Sequence, residues 1–355
     1  MTDNCTLRRY TKDDRTRVFH LIEPVWGELF AGTLRKIWEW KIENTFVNRV
    51  EGTKTLVLEH DDAIVGLLSM MAVPLKVRDK VISAFWMGDL VTYPRHRGRG
   101  TKLLKEIKKE PSVILGAPNE LSYPLFKKLG WFDIYSLVNR VCVINMGNLL
   151  RRRIRNKAIE AIVQLLWLGI RRIAFPVPQL SKFKSLSIIR VPVFDTRIDE
   201  FWHDVAHDYG IIVVRDRQYL NWRFVERPDR KYQIYLAMQA GKIRGYISLS
   251  SQEWAGLRFG NIVDLLVGRG DRESLDALLV KAVKELELSG VDLITCYISP
   301  YDAFYQKALK KNGFLFKTIK GKVIAYSNST EVSKEELMNA KNWFLTRGDS
   351  DLEMN

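Results

Sequence analysis

Four basic side chains, Arg95, Arg97, Arg99 and Lys102, are interleaved with Gly98 and Gly100 in the stretch PRHRGRGTK. That alternation suits an anion. Glycines let successive backbone N–H groups turn into one concavity and let a phosphate come close. Arginines supply forked donors for phosphate oxygens, and a helix beginning there adds the positive end of its dipole. Metal and thiol chemistry have less support: Cys5, Cys142 and Cys296 are widely separated and make no ligand pattern or redox pair. The five histidines lack ligand spacing, so no metal is expected.

The elements around this turn can position it. The apolar run VISAFWMGDLVTY reads as a strand ending before Pro94, and a helix from about Gly100 to Lys109 stops before Pro111. Before them come a strand at LRRY, two helical stretches, and the strands TLVLEH and AIVGLLSMMAVPLKV. After them come VILGAPN, a short helix in ELSYPLFKKLGWF closed by Gly130, and the strand region YSLVNRVCVIN. Strands mixed with helices in this order make a mixed α/β sheet. The second half repeats the plan: a hairpin turned at QAGK, the strand RFGNIVDLLVG, the helix RESLDALLVKAVKELELSG, the strand VDLITCYIS, a short helix ended by Gly313, and a final strand. MGDLVTYP matches IVDLLVG, and FKKLGWF matches LKKNGFLF, so the fold is read as duplicated.

The expected organisation is a first domain over residues 1–148, a basic amphipathic linker over 149–185, a second domain over 186–330, and a C-terminal helix with a frayed tail over 331–355. Of 355 residues 46% are hydrophobic and the formal net charge is +15, which predicts attraction to nucleic acid, an anionic membrane or phosphorylated small molecules. Much of the excess is local. LLRRRIRNKAIEAIVQLLWLGIRRIAFP holds seven basic residues against the single acid Glu160. This segment reads either as a helix on a membrane surface, through residues 149–175, or as a linker helix packed between domains, which its proline-rich end FPVPQL favours. Its longest apolar run falls short of the roughly 20 residues that span a bilayer. MTDNCTLRRYTKDD has no apolar signal-peptide core. The expectation is a cytoplasmic protein without a transmembrane segment; its oligomeric state is left open.

DLVTYPRHRGRG followed by GAPNELSYPLFKKLGW resembles the two main motifs of the GCN5-related N-acetyltransferase (GNAT) family, in family order and spacing. The resemblance extends over residues 7 to about 145 and more weakly over about 190 to 328. It implies tandem GNAT-like domains, each a mixed, mostly antiparallel sheet flanked by helices, and acyl-CoA as co-substrate, acetyl-CoA or a longer or hydroxylated acyl-CoA. By that resemblance Arg97, Gly98, Arg99, Gly100, Thr101 and Lys102 cradle the pyrophosphate. Leu90, Val91 and Thr92 pair with the pantetheine, and Asn119 touches it from the neighbouring strand. Phe126 stands where many members carry a tyrosine that protonates the leaving sulfur. Tyr123, one turn earlier, is the substitute acid or a packing residue. Asp89 is the first choice for base or amine anchor, ahead of Glu120 and His96. The second copy has Asp271 and Glu273 where a pyrophosphate would sit, so it is expected to lack CoA.

YLNWRFVERPDRKY further resembles bacterial tandem members of surface-polysaccharide synthesis that acylate nucleotide-linked amino sugars. That makes Trp222, Arg223 and Tyr232 candidates for stacking on a base or sugar and pairing with a diphosphate, against an alternative of ordinary core packing. The leading expectation is therefore an acyl-CoA-dependent N-acyltransferase acting on a nucleotide-linked (dTDP or UDP) amino sugar. Acetylation of a peptide, protein or small amine is an alternative. So is a non-catalytic basic module for nucleic acid or membrane, although no specific nucleic-acid partner is expected.

Overall fold

The computed structural model describes residues 5–45, 52–151, 156–174 and 180–350. The first half contains β1 (Thr6–Arg9), α1 (Arg15–Trp26), α2 (Glu28–Trp38), β2 (Leu56–His60), β3 (Ala63–Val77), β4 (Lys80–Thr92), α3 (Gly100–Ile107), β5 (Val113–Gly116), α4 (Tyr123–Lys128) and β6 (Phe132–Val143). Between the halves lie α5 (Met146–Leu150) and α6 (Lys157–Ala174). The second half runs through β7 (Ser187–Val191), α7 (Arg197–Val205), β8 (Ile211–Val213), α8 (Arg217–Phe224), β9 (Gln233–Gln239), β10 (Lys242–Trp254), β11 (Leu257–Val267), α9 (Arg272–Leu288), β12 (Leu293–Tyr297), α10 (Ala303–Lys311) and β13 (Phe316–Ser327). It closes with α11 (Lys334–Met338) and β14 (Trp343–Phe344).

The expected mixed α/β architecture is present as one sheet in the order β1-β2-β3-β4-β5-β13-β6-β12-β11-β10-β9-β7. Nearly every neighbour pair is antiparallel. The parallel pairs are β4 with β5, β11 with β12, and the short β8 with β14. The order also shows an exchange: β13, the last long strand of the second half, pairs with β5 of the first, and β6 of the first half pairs with β12 of the second. The apolar faces of the two halves therefore merge into a continuous core that includes Trp38, Trp86, Leu137, Tyr246 and Leu278.

The QAGK hairpin forms as read. Ala240 and Gly241 both take positive φ, 47° and 78°, the geometry that joins twisted antiparallel strands through two residues. The C-terminal stretch does not fray over the described residues. Trp343, Phe344, Leu345, Thr346 and Asp349 are all buried, and residues 351–355 lie outside the described residues. Also outside them are Arg152, Arg153 and Arg155 and most of the proline-rich FPVPQL.

Candidate active site

Strands β4 and β5 run in parallel register from Ala84↔Val113 to Met87↔Gly116, and the ladder stops there. Strand β4 continues, held on its other side by β3 through Leu68↔Leu90, Leu67↔Val91 and Gly66↔Thr92. The register with β3 slips between Leu68 and Met70, so Ser69 stands opposite both Gly88 and Asp89. This is a β-bulge, which kinks a strand and re-aims its side chains. Beyond it the two parallel strands part, and the edge of β4 past Met87 opens onto a cavity of about 630 Å³.

Asp89 sits at the bulge on the cavity wall. The Ser69 hydroxyl donates to its Oδ2 at 2.6 Å, and the Asp89 amide donates back to Ser69 Oγ at 2.7 Å. Lys41 Nζ completes the cluster at 2.8 Å from the same carboxylate oxygen. Lys41 is fully buried; it lies on the π-helical turn Glu39–Glu43 that follows α2. Such turns are rare and frequent at functional sites. This one is fixed from two sides. Tyr10 donates to Glu43 at 2.6 Å, and Arg15 pairs with the same carboxylate. On the other side Trp40 stacks on Trp222 with centroids 4.7 Å apart, and its indole N–H donates to the Trp222 carbonyl at 2.7 Å.

Leu90, Asn119 and Phe126 line the cavity. Val91 does not, because alternation along β4 turns it into the core, and Thr92 lies further along the strand. Tyr123 is also displaced from the proposed acid role. Its hydroxyl is 2.7 Å from Asp133 Oδ2, and Lys322 Nζ donates to it at 2.9 Å. It is thus spent on an ionic cluster that ties α4 to the exchanged strand β13. Glu120 and His96 are likewise not cavity residues; His96 is buried against His60.

The glycine turn follows β4 directly. Gly98 takes φ of 92°, a conformation that favours glycine. Not all the expected amides are available for a phosphate: Arg97, Arg99, Thr101 and Lys102 donate to carbonyls within the turn at 2.9–3.3 Å. The amides of Gly98 and Gly100 have no such partner among the described residues. A Cβ at Gly100 would point at Leu90 and Thr92, 3.6 and 3.4 Å away, so this face of the turn looks along the open edge of β4. The Arg99 guanidinium contacts Cys5.

Trp222, Arg223 and Tyr232 do not line the cavity. Arg223 is fully buried; its guanidinium donates to the carbonyls of Gly348 and Ser350 at 2.7 and 3.1 Å and to the Tyr232 hydroxyl at 3.0 Å. These residues pack the C-terminal segment and the Lys41 turn, which corrects their reading as sugar-binding groups. The sequence reasoning also missed residues of the cavity's inner end: Asn139 on β6, Tyr297 on β12, and Arg347 from the C-terminal segment. Arg347 donates to Asn139 at 3.0 Å and to Asn261 on β11 at 2.8 Å, so both halves build this wall. Burial, with Tyr135 alongside, pushes the Tyr297 hydroxyl well above the ordinary phenol range. It is therefore a neutral phenol at neutral pH and not a base.

The second half repeats the bulge with different contents. The β11–β12 ladder stops at Ile262↔Cys296, and β11 slips against β10 so that Ser248 pairs with Asp264. Ser69, Asp89 and Lys41 thus have counterparts in Ser248, Asp264 and the fully buried Arg215, whose Nε is 2.9 Å from Asp264. Here, however, the space is filled. Thr346 bridges to Ile298, just past β12, and donates to Asp264 at 2.8 Å. Asp349 reaches Arg215 at 2.5 Å. A Cβ on Gly348 would come within 3.0 Å of Phe224 and 3.2 Å of Asp264. The chain's own C-terminal segment occupies this cleft.

Residues 6–132 match the family model described as the acetyltransferase (GNAT) domain. This assigns acyl-CoA-dependent N-acyltransferase chemistry to the part of the chain that carries the open cleft. Solved structures share the fold across both halves. A GCN5-related N-acetyltransferase from Kribbella flavida aligns over 91% of this chain and 71% of its own, with TM-score 0.59 and 13% identity. One from Anabaena variabilis aligns over 90% and 72%, with TM-score 0.56 and 12% identity. The N-myristoyltransferase of Saccharomyces cerevisiae, solved with bound myristoyl-CoA, aligns over 92% and 83%, with TM-score 0.53 and 13% identity. No curated protein sequence matches the chain.

Proposed function

We propose that the first cleft binds acyl-CoA and passes its acyl group to the amino group of a nucleotide-linked amino sugar. The observation that carries this reading is the open edge of β4 joined to the glycine turn, with Asp89 on the wall of the cavity that opens between β4 and β5. The pyrophosphate is held at Gly98 and Gly100, and the pantetheine follows Leu90 towards Asn119. The acyl thioester is brought to the bulge, where Asp89 anchors the acceptor amine and takes its proton. The nitrogen lone pair attacks the carbonyl carbon, the C–S bond breaks, and the thiolate leaves. With Phe126 in place of a tyrosine no dedicated acid is required, because a thiol of pKa about 8.5 is already a fair leaving group.

The acceptor assignment rests on the resemblance of YLNWRFVERPDRKY to sugar N-acyltransferases, but different residues must hold the sugar. Asn139, Tyr297 and Arg347 offer amide, hydroxyl and guanidinium groups at the inner end of the cavity. A strongly basic chain suits two anionic substrates, and we place the reaction in the cytoplasm. The second half serves as a scaffold whose cofactor cleft is closed by residues 343–350. The test is thiol release from acetyl-CoA and longer acyl-CoAs, with UDP- and dTDP-linked amino sugars and simple amines as acceptors. Release that depends on a nucleotide-linked amino sugar is expected. Equal release with peptides or simple amines would contradict the acceptor assignment.

A further inference from the structure

Helix α6 turns two different faces outward and inward. Its inner face is used: the Trp167 indole donates to the Val143 carbonyl at 3.1 Å, Gln164 accepts from the Met146 amide at 2.8 Å, and Arg171 pairs with Glu287 at 3.1 Å. The outer face carries Ile159, Ile162, Leu165, Leu166, Ile170 and Ile173, each between 47% and 85% exposed. At 3.6 residues per turn these six fall within an arc of about 140° that runs the length of the helix. Scattered exposed aliphatics are ordinary, whereas a continuous stripe marks a surface that something covers.

We infer that this stripe lies on an anionic lipid surface, with α6 in the plane of the headgroups. Charge selects that occupant. Exposed Arg151 and Lys157 flank one end of the helix and Arg172 the other, within a chain of net charge +15. Basic residues near an anionic leaflet are attracted to it, and raised salt screens that attraction. A second copy of the chain would bring the same cations against them. Nucleic acid would meet the arginines but leave the aliphatic stripe in water. No described helix is long and apolar enough to cross a membrane, so the contact is peripheral, as for amphipathic helices that bury one face at the headgroup boundary.

Flotation of the full chain with phosphatidylcholine–phosphatidylglycerol vesicles tests this, against pure phosphatidylcholine vesicles and against the variant Leu165→Glu/Leu166→Glu. Both side chains point to solvent, so the variant should unfold at the same denaturant midpoint as the wild type. The expected result is binding to the anionic vesicles, weakened at least tenfold by the double substitution and by raised salt, with little binding to the neutral vesicles. Failure of the wild type to bind anionic vesicles would overturn the inference, as would undiminished binding by the variant. A wild-type dimer in sedimentation equilibrium that the double substitution dissociates would also overturn it, assigning the stripe to self-association.

Discussion

Lys41→Met is expected to destabilise the protein by about 3–5 kcal/mol, because it leaves the Asp89 carboxylate buried without its cation. Lys41 is fully buried and Asp89 nearly so, and the Ser69 hydroxyl alone does not replace a charge. The double variant Lys41→Met/Asp89→Leu removes both charges and should recover most of the lost stability, since a buried ion pair can often be replaced by apolar groups at little net cost. Activity should not recover with it. Asp89→Asn keeps the side-chain volume and an oxygen for Ser69, and is expected to lower kcat by about 10²–10⁴, the usual contribution of a general base. Urea denaturation with acyl-transfer kinetics on the three variants checks both parts. If the double variant were as active as the wild type, Asp89 would have no part in the chemistry.

Arg215→Met should have a comparable effect on stability, again about 3–5 kcal/mol, because the guanidinium lies buried between two carboxylates. Its partners are Asp264 at 2.9 Å and Asp349 at 2.5 Å. The loss should extend to the active site, since the same segment carries Arg347 into the cavity wall. The network also predicts a pH dependence. Burial lifts the Asp349 carboxyl from its ordinary 3.8 to about 6, with Arg215 pulling it down and Asp264 pushing it up. Between about pH 4 and pH 6 the native state therefore holds a proton that the unfolded chain releases. By linkage, Asp349 stabilises the fold most below pH 4 and loses that contribution as the pH rises through 6. Denaturation of wild type and Asp349→Asn across this range should show a difference that changes with pH in that sense. A constant difference would contradict it.

These two clusters mark where sequence reading stops. The glycine turn and the neighbouring strand and helix are local patterns, so composition and spacing along PRHRGRGTK and MGDLVTYP sufficed to find them. Asp89 could be singled out for the same reason, since it lies in the MGDLVTYP stretch at the end of its strand. Lys41 could not, because it reaches Asp89 from a π-helical turn 48 residues earlier, and periodicity reads that turn simply as more helix. The exchange of β6 and β13 was equally hidden. Both close a half, and nothing in their pattern says which edge each will join. The C-terminal stretch looked like a frayed tail because its polar residues, Thr346, Arg347 and Asp349, are buried by partners distant in sequence. Trp222 and Arg223 were misread in the opposite direction. Aromatic and guanidinium groups that could bind a nucleotide are here occupied by Trp40 and by the carbonyls of Gly348 and Ser350.

The central claim is that one cleft of the two, the one beside Gly98 and Gly100, holds the acyl donor. Calorimetric titration of the wild type and Gly100→Glu with acetyl-CoA and a longer acyl-CoA tests it most directly. The substituted side chain would direct a carboxylate along Leu90 and Thr92, where the phosphates approach. One site per chain in the wild type, lost in Gly100→Glu, is the predicted result. Two sites per chain, or one site that survives the substitution, would put the donor elsewhere. No binding of either acyl-CoA would contradict the enzyme itself.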